Sequence, residues 1–233
     1  MATLPHTSLK KDVNVTERLL LVCGILSSLF YACMDALAGT LWKGYSFTSQ
    51  AFSDYSAIGA PTRPLILLLS PIYTALVIAF GLGIWWWAGH KRVLRFIGVL
   101  LVVYALVSLV WPQFFPLDLS GTVSTFTNTM HIALTVVTVL SWLLVLGFGA
   151  ILFGKRFRLY SIGTLLTVLV FGALTGFIAG TTQSAVTQSA PWLGITERIN
   201  LYSFMLWVIV LAITLLRAQG TMNRSGRRKE SGR

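Results

Sequence analysis

The sequence predicts an all-α fold: a polytopic membrane bundle of six transmembrane helices with both termini cytoplasmic. Three observations carry this. Of 233 residues, 55% are hydrophobic and only 11% are charged, whereas a soluble domain carries about 25% charged residues. Six apolar segments each approach the ~20 residues a helix needs to cross ~30 Å of hydrocarbon. The basic residues then sort the connecting loops to two sides. An α-helix satisfies its own backbone hydrogen bonds in lipid. A β-barrel needs short alternating strands, and none is written here.

The six spans are expected near 18–38, 64–88, 93–111, 129–153, 159–180 and 199–216. The chain therefore divides into a cytoplasmic N-terminal segment (1–17), a six-helix transmembrane domain (18–217) and a basic cytoplasmic tail (218–233). The first span follows Lys10, Lys11 and Arg18. Its apolar run is longer than the about 7–15 residues of a signal-peptide core, so it reads as a retained helix. Cys23 and Cys33 lie ten residues apart within it, roughly 15 Å along a helix, too far to bridge. Ser27, Tyr31 and Asp35 share one face at i, i+4 and i+8.

Between the first two spans stands "FSDYSAIGAPTRP", residues 52–64, whose Gly and prolines turn the chain back toward the membrane. Pro71 interrupts the second span and frees a carbonyl. Ser70 and Thr74 stand beside it as the expected partners. Trp85, Trp86 and Trp87 close that span as an interfacial belt, with Trp42, Trp111 and Trp192 marking the opposite surface. The third span carries Tyr104, Ser108 and Trp111 on one face, the fourth His131, Thr135, Thr138 and Trp142, and the sixth Asn200, Ser203 and Trp207. In the fifth span Gly172, Gly176 and Gly180 recur every four residues, which clears a face for close helix approach, either within the protein, as expected, or between two copies.

Charge sets the direction. Lys91, Arg92 and Arg95 follow the second span, Lys155, Arg156 and Arg158 the fourth, and Arg217, Arg224, Arg227, Arg228, Lys229 and Arg233 the sixth. With the three before the first span, fifteen of the 18 bases fall on one side, against Lys43, Arg63 and Arg198 on the other. The positive-inside rule makes the first side cytoplasmic and the plasma membrane the expected location. The net charge of +11 is thus a steering charge and a lipid-surface tail, not a nucleic-acid surface.

The acids behave oppositely. Only seven are present, and four of them, Asp35, Asp54, Asp118 and Glu197, fall at the outer face with Lys43, Arg63 and Arg198. His131 opens the fourth span on the same side. Opposite charges at the hydrocarbon edge are expected to pair, because isolated charge is costly there. Asp35, Ser53, Asp54, Arg63, Asp118, His131, Glu197 and Arg198 are therefore the candidate outer-face polar site. The polar stripes beneath them allow a partly polar cavity open to the outside, or interhelical hydrogen bonds alone.

"YSFTSQAFSDYSAIGAPTRP", "WPQFFPLD", the following His131 and "GITERINLYSFMLW" together resemble the uncharacterised membrane family called domain of unknown function 998. The resemblance runs over roughly residues 15–217. Its markers fall at Ser49, Ser53, Asp54 and Gly59, at Phe115, Pro116 and Asp118, at His131 and at Arg198. It implies a six-helix membrane architecture and no established activity.

The residues themselves support an outward-facing site that binds a lipid headgroup or small amphiphile, with Arg63 and Arg198 pairing to phosphate or carboxylate. A membrane-embedded hydrolase or transferase is the alternative, with Ser53 or Ser56 as nucleophile and His131 as base, or a carboxylate-bound metal. One His supplies too little nitrogen for zinc, and no H-E-x-x-H or G-x-S-x-G is present. Transport through Asp35 and His131, or a scaffold subunit, are further alternatives. The sequence names no cofactor, no metal ligand set and no oligomeric state; the lipid bilayer is the expected partner.

Overall fold

In the computed structural model, which describes residues 9–118, 125–182 and 190–230, six long helices stand where the six apolar runs predict them. They are α1 (Leu9–Leu41), α2 (Arg63–Trp87), α3 (Arg92–Phe114), α4 (Phe126–Ala150), α5 (Lys155–Thr182) and α6 (Leu193–Glu230). Side chains are described for 15–118, 125–181 and 190–221. All six helices are long and apolar enough to cross a membrane. Short loops join α2 to α3 and α4 to α5 on one face, the basic face, where α1 also starts and α6 ends. The longer connections after α1, α3 and α5 leave from and return to the other, the loop face.

Each helix packs on the next in the chain, and α6 closes the sequence of neighbours by packing on α1. On the α1–α6 seam Ser28 donates to Met205 O at 3.1 Å, and at the basic face the Gln219 amide donates to Glu17 at 3.1 Å. Polar α1 and α6 turns run beyond the apolar windows Val15–Leu41 and Leu193–Thr221.

The helices α2 and α3 approach closely at a pair of glycines. A Cβ added at Gly98 would lie 2.6 Å from Gly81 O, and one at Gly81 would lie 2.8 Å from Gly98 O. Beyond this contact Tyr73 and Tyr104 join their hydroxyls at 2.6 Å. The expectation for the glycines of α5 is corrected. Gly176 and Gly180 have nothing within 4 Å, and of the three only Gly172 approaches a neighbour, the Asn200 amide. The α5 window is also the least buried of the six, at 11%. The close-packed glycine pair is on α2 and α3 instead.

Pro71 has no N–H for Leu67 O, as expected, but its neighbours do not fill the gap. Gln113 of α3 does, donating to Leu67 O at 3.1 Å, while Thr74 donates to Ala105 O. Ser70 Oγ instead accepts from the same Gln113 amide at 3.4 Å, and Thr74 turns to the α3 backbone. Deeper in the core Trp142 stacks on Phe204 at 4.7 Å, and the Trp207 indole N–H donates to Ser161 Oγ at 2.9 Å. Trp142 and Trp207 are thus core residues, 3% and 0% exposed.

Candidate functional site

The loop after α1 supplies one wall of the candidate site. Its residues Phe52–Ser56 form a short 3-10 turn, and Gly59 takes φ +84°, a conformation that L side chains rarely adopt. The first amides of that turn point away from any helical partner. Two carboxylates meet them. Asp54 accepts from Ala51 N at 2.9 Å, and Glu197 of α6 accepts from Phe52 N at 2.6 Å. Burial pushes the Asp54 carboxyl up to about 6, against the opposing pull of the Ala51 amide and of Arg198.

Arg198 sits one helical residue on from Glu197 and is 8% exposed. Its guanidinium forks onto Asp35 of α1, which is 2% exposed: Nε to Oδ2 at 3.0 Å and Nη2 to Oδ1 at 2.9 Å. Nη1 donates to the backbone carbonyls of Phe47, Gln50 and Gly194 at 3.0–3.2 Å. Nη2 also reaches the Tyr45 and Tyr55 hydroxyls at 2.8 and 3.1 Å. The five N–H groups of a guanidinium are therefore all engaged. The Asp35 carboxylate in turn accepts from Tyr55 at 3.0 Å and Tyr202 at 2.5 Å. The cation also lies over the Phe47 and Tyr45 rings at 4.9 and 5.5 Å.

The approach that permits this depends on Gly194. A Cβ there would fall 2.4 Å from both Gln50 O and Phe47 O. Thr48 O accepts from Gly194 N and Ile195 N, so the loop backbone caps α6. One arginine and one glycine thereby stitch the first loop and α1 to the start of the last helix.

The other predicted residues lie elsewhere. His131, 5% exposed, has Nδ1 3.0 Å from Phe115 O and packs its ring edge-on to Trp111 at 4.9 Å. Asp118 takes its place by backbone: its amide donates to Asn128 Oδ1, and the preceding Leu117 O accepts from Ile58 N. Arg63, at the first turn of α2, donates to Ser56 O at 2.6 Å rather than to Asp54. Ser53 stands in the 3-10 turn, where its carbonyl accepts from the Ser56 hydroxyl at 3.1 Å. The structure thus brings together Asp35, Asp54, Glu197 and Arg198, and seats His131 on the α3–α4 connection. Ser56 Oγ donates to Ser53 O and His131 Nδ1 lies against Phe115 O, so in this structure those two groups face other partners. Among the described residues no group of three His, Cys, Asp or Glu side chains is placed to hold a metal ion.

Two pairs that chain neighbours would make do not form. Arg198 pairs across 163 residues with Asp35, not with its neighbour Glu197. Asp54 is a backbone cap, not the partner of Arg63. Sequence reasoning missed Tyr45, Tyr55, Tyr202 and Gly194. Tyr202 carried a signal, since it lies four residues after Arg198 and so on the same helix face.

Beside this cluster a groove of about 440 Å³ opens on the flank of α6, lined by Phe47, Thr48, Ile195, Arg198, Tyr202 and Leu206 among others. A second hollow of about 300 Å³ shares Ser203 and Leu206 with it and continues between α6 and Tyr160, Gly163, Thr164 and Thr167 of α5. The buried Tyr160 hydroxyl stands beside Thr164 there. A family model described as Protein of unknown function (DUF998) matches residues 25–214. No curated protein and no solved structure matches the chain.

Proposed function

The chain belongs to the DUF998 family of unknown function, and from its geometry we propose that it binds one amphiphile in the groove along α6. The observation that carries this is the groove itself: a hollow on the flank of a membrane-spanning helix, apolar along Ile195, Ile199 and Leu206 and polar at its loop-face end. An amphiphile has that same distribution, a polar head beside Thr48 and Tyr202 and a chain along the aliphatic side chains. The hollow beyond Ser203 extends the space for the chain toward Tyr160.

The headgroup follows from charge. Arg198 is neutralised by Asp35 and has no free N–H, so it offers a phosphate little. Asp54 and Glu197 add carboxylates on the same side. An anionic head meets a net repulsion there, and a neutral or amine-bearing head does not. With the loop face outside, as the basic residues predict, the ligand enters from the outer leaflet.

The experiment is native mass spectrometry of the detergent-purified protein and of a Ser203→Trp variant, which fills the groove without touching the Arg198 bonds. The wild type should retain a neutral or amine-bearing amphiphile and the variant should lose it at unchanged thermal stability. Equal amphiphile content in both proteins, or retention of anionic lipid alone, rejects the reading.

A further inference from the structure

The two hollows on the α5–α6 flank meet, because Ser203 and Leu206 line both. On α6 the lining includes Ile195, Arg198, Tyr202 and Leu206, and on α5 it is Tyr160, Gly163, Thr164 and Thr167. Each set recurs every three or four residues and so lies along one face of its helix. From Ile195 to Leu206 the helix rises roughly 16 Å, and from Tyr160 to Thr167 roughly 10 Å. Tyr160 lies roughly 8 Å from the start of α5 at the basic face. The joined hollows thus run from the loop face across most of the ~30 Å of hydrocarbon. Gly163 has nothing within 4 Å, which leaves the lower part open.

The lining changes along this course. Ile195, Ile199 and Leu206 are apolar, as an acyl chain requires. Beyond Ser203 the side chains are hydroxyls, from which a chain gains nothing. Thr167 and Thr164 donate to Gly163 O and Tyr160 O at 3.0 Å each. Their donors are thereby satisfied, and each oxygen keeps a lone pair for a guest. The Tyr160 hydroxyl stands beside Thr164. Ser203, partly buried, makes no hydrogen bond among the described residues. It lies roughly 15 Å along α6 from Leu193, near the bilayer centre. A hydroxyl without a partner at that depth is costly, and a polar guest relieves the cost. Of the side chains lining the two hollows only Arg198 is charged, and Asp35 neutralises it. A zwitterionic head suits this course. Its ammonium meets the threonine oxygens, and its phosphate oxygens accept from Ser203.

We propose that the α5–α6 seam carries the head of an amine-bearing zwitterionic phospholipid across the bilayer while its chains stay in the lipid. The protein then equilibrates that lipid between leaflets, downhill and without coupling. This rests on the binding of an amphiphile in the α6 groove, and it makes the lower hollow a second station for the head.

The test places the full chain in phosphatidylcholine vesicles holding a trace of phosphatidylethanolamine with a nitrobenzoxadiazole label on its acyl chain. Dithionite added outside bleaches only label in the outer leaflet. With the wild type, bleaching should continue past the outer-leaflet share that empty vesicles lose. Thr164→Val/Thr167→Val should slow the second phase about tenfold, the worth of a lost hydrogen bond to a charged group. Ser203→Ala should slow it as well, which keeps the test decisive if the double variant does not fold. Thr175→Val, on α5 outside both hollows, should leave the rate unchanged. Bleaching that stops at the outer-leaflet share, or wild-type rates in both the double variant and Ser203→Ala, overturns the proposal. Native mass spectrometry of the same wild-type preparation separates the two readings. A retained amphiphile without transfer rejects this inference and leaves the binding reading standing, whereas absence of both rejects both.

Discussion

Removing the Arg198 guanidinium leaves the Asp35 carboxylate buried, with only the Tyr55 and Tyr202 hydroxyls to stabilise it. Breaking one side of a buried pair in this way costs about 3–5 kcal/mol. Arg198→Ala should therefore destabilise the protein strongly, and Arg198→Lys should restore little, since an ammonium cannot fork onto a carboxylate and three carbonyls at once. The Asp35→Asn/Arg198→Gln double variant should be more stable than Arg198→Ala. A double-mutant cycle on thermal unfolding in detergent measures the coupling, and additive single effects would refute the pairing. Asp54 makes a different prediction. Its folded carboxyl titrates at about 6 and its ordinary value is 3.8. Between those values the folded protein holds a proton that the unfolded chain has released. The stability from Asp54 is then fully present below the lower value and is lost as pH rises through about 6. Asp54→Asn should flatten that slope while keeping an acceptor for the Ala51 amide. The acids and Arg198 were legible as a scarce, one-sided set, because charge near hydrocarbon must have a purpose. Which acid met which base was not legible, because Asp35 and Arg198 are 163 positions apart and only the fold selects between Asp35, Asp54 and Glu197.

Among the helices, spacing alone misjudged where glycine matters. Gly98 faces the Gly81 carbonyl and Gly176 faces open space. Gly98→Ala should push α2 and α3 apart and lower Tm. Gly176→Ala should be neutral or raise Tm slightly, by up to the ~1 kcal/mol that alanine gains over glycine in a helix. The opposite ranking would mean that the α5 face is occupied by a partner. Helix existence was legible throughout, because ~20 apolar residues have few other uses. The ends were less so. Hydropathy placed the last span at 199–216, whereas α6 runs from Leu193 to Glu230. Its first turn is fixed by the Thr48 carbonyl and Gly194, and its final turns are polar; neither leaves an apolar trace. The partner of Leu67 O escaped notice for a related reason. Gln113 reaches it from another helix, and a proline signals only its own chain neighbours.

At the scale of the molecule, an even number of spans puts both ends on one face, and fifteen of 18 bases belong to that side. In cells carrying a Cys23→Ala/Cys33→Ala background, an impermeant thiol reagent added outside should label Lys43→Cys and leave Arg95→Cys untouched. The reverse pattern would invert the orientation and move the entry of the groove to the cytoplasmic leaflet. The closed order of neighbours was not legible, because an amphipathic pattern tells which side of a helix is buried but not which helix covers it. It rests on α1 meeting α6, held at the basic face by Glu17 and Gln219. Since the first and last helices already lie side by side, the fold has no topological beginning. A circularly permuted protein, its native ends spliced by a short linker and new ones opened in the α2–α3 hairpin, would keep every helix beside its present companions.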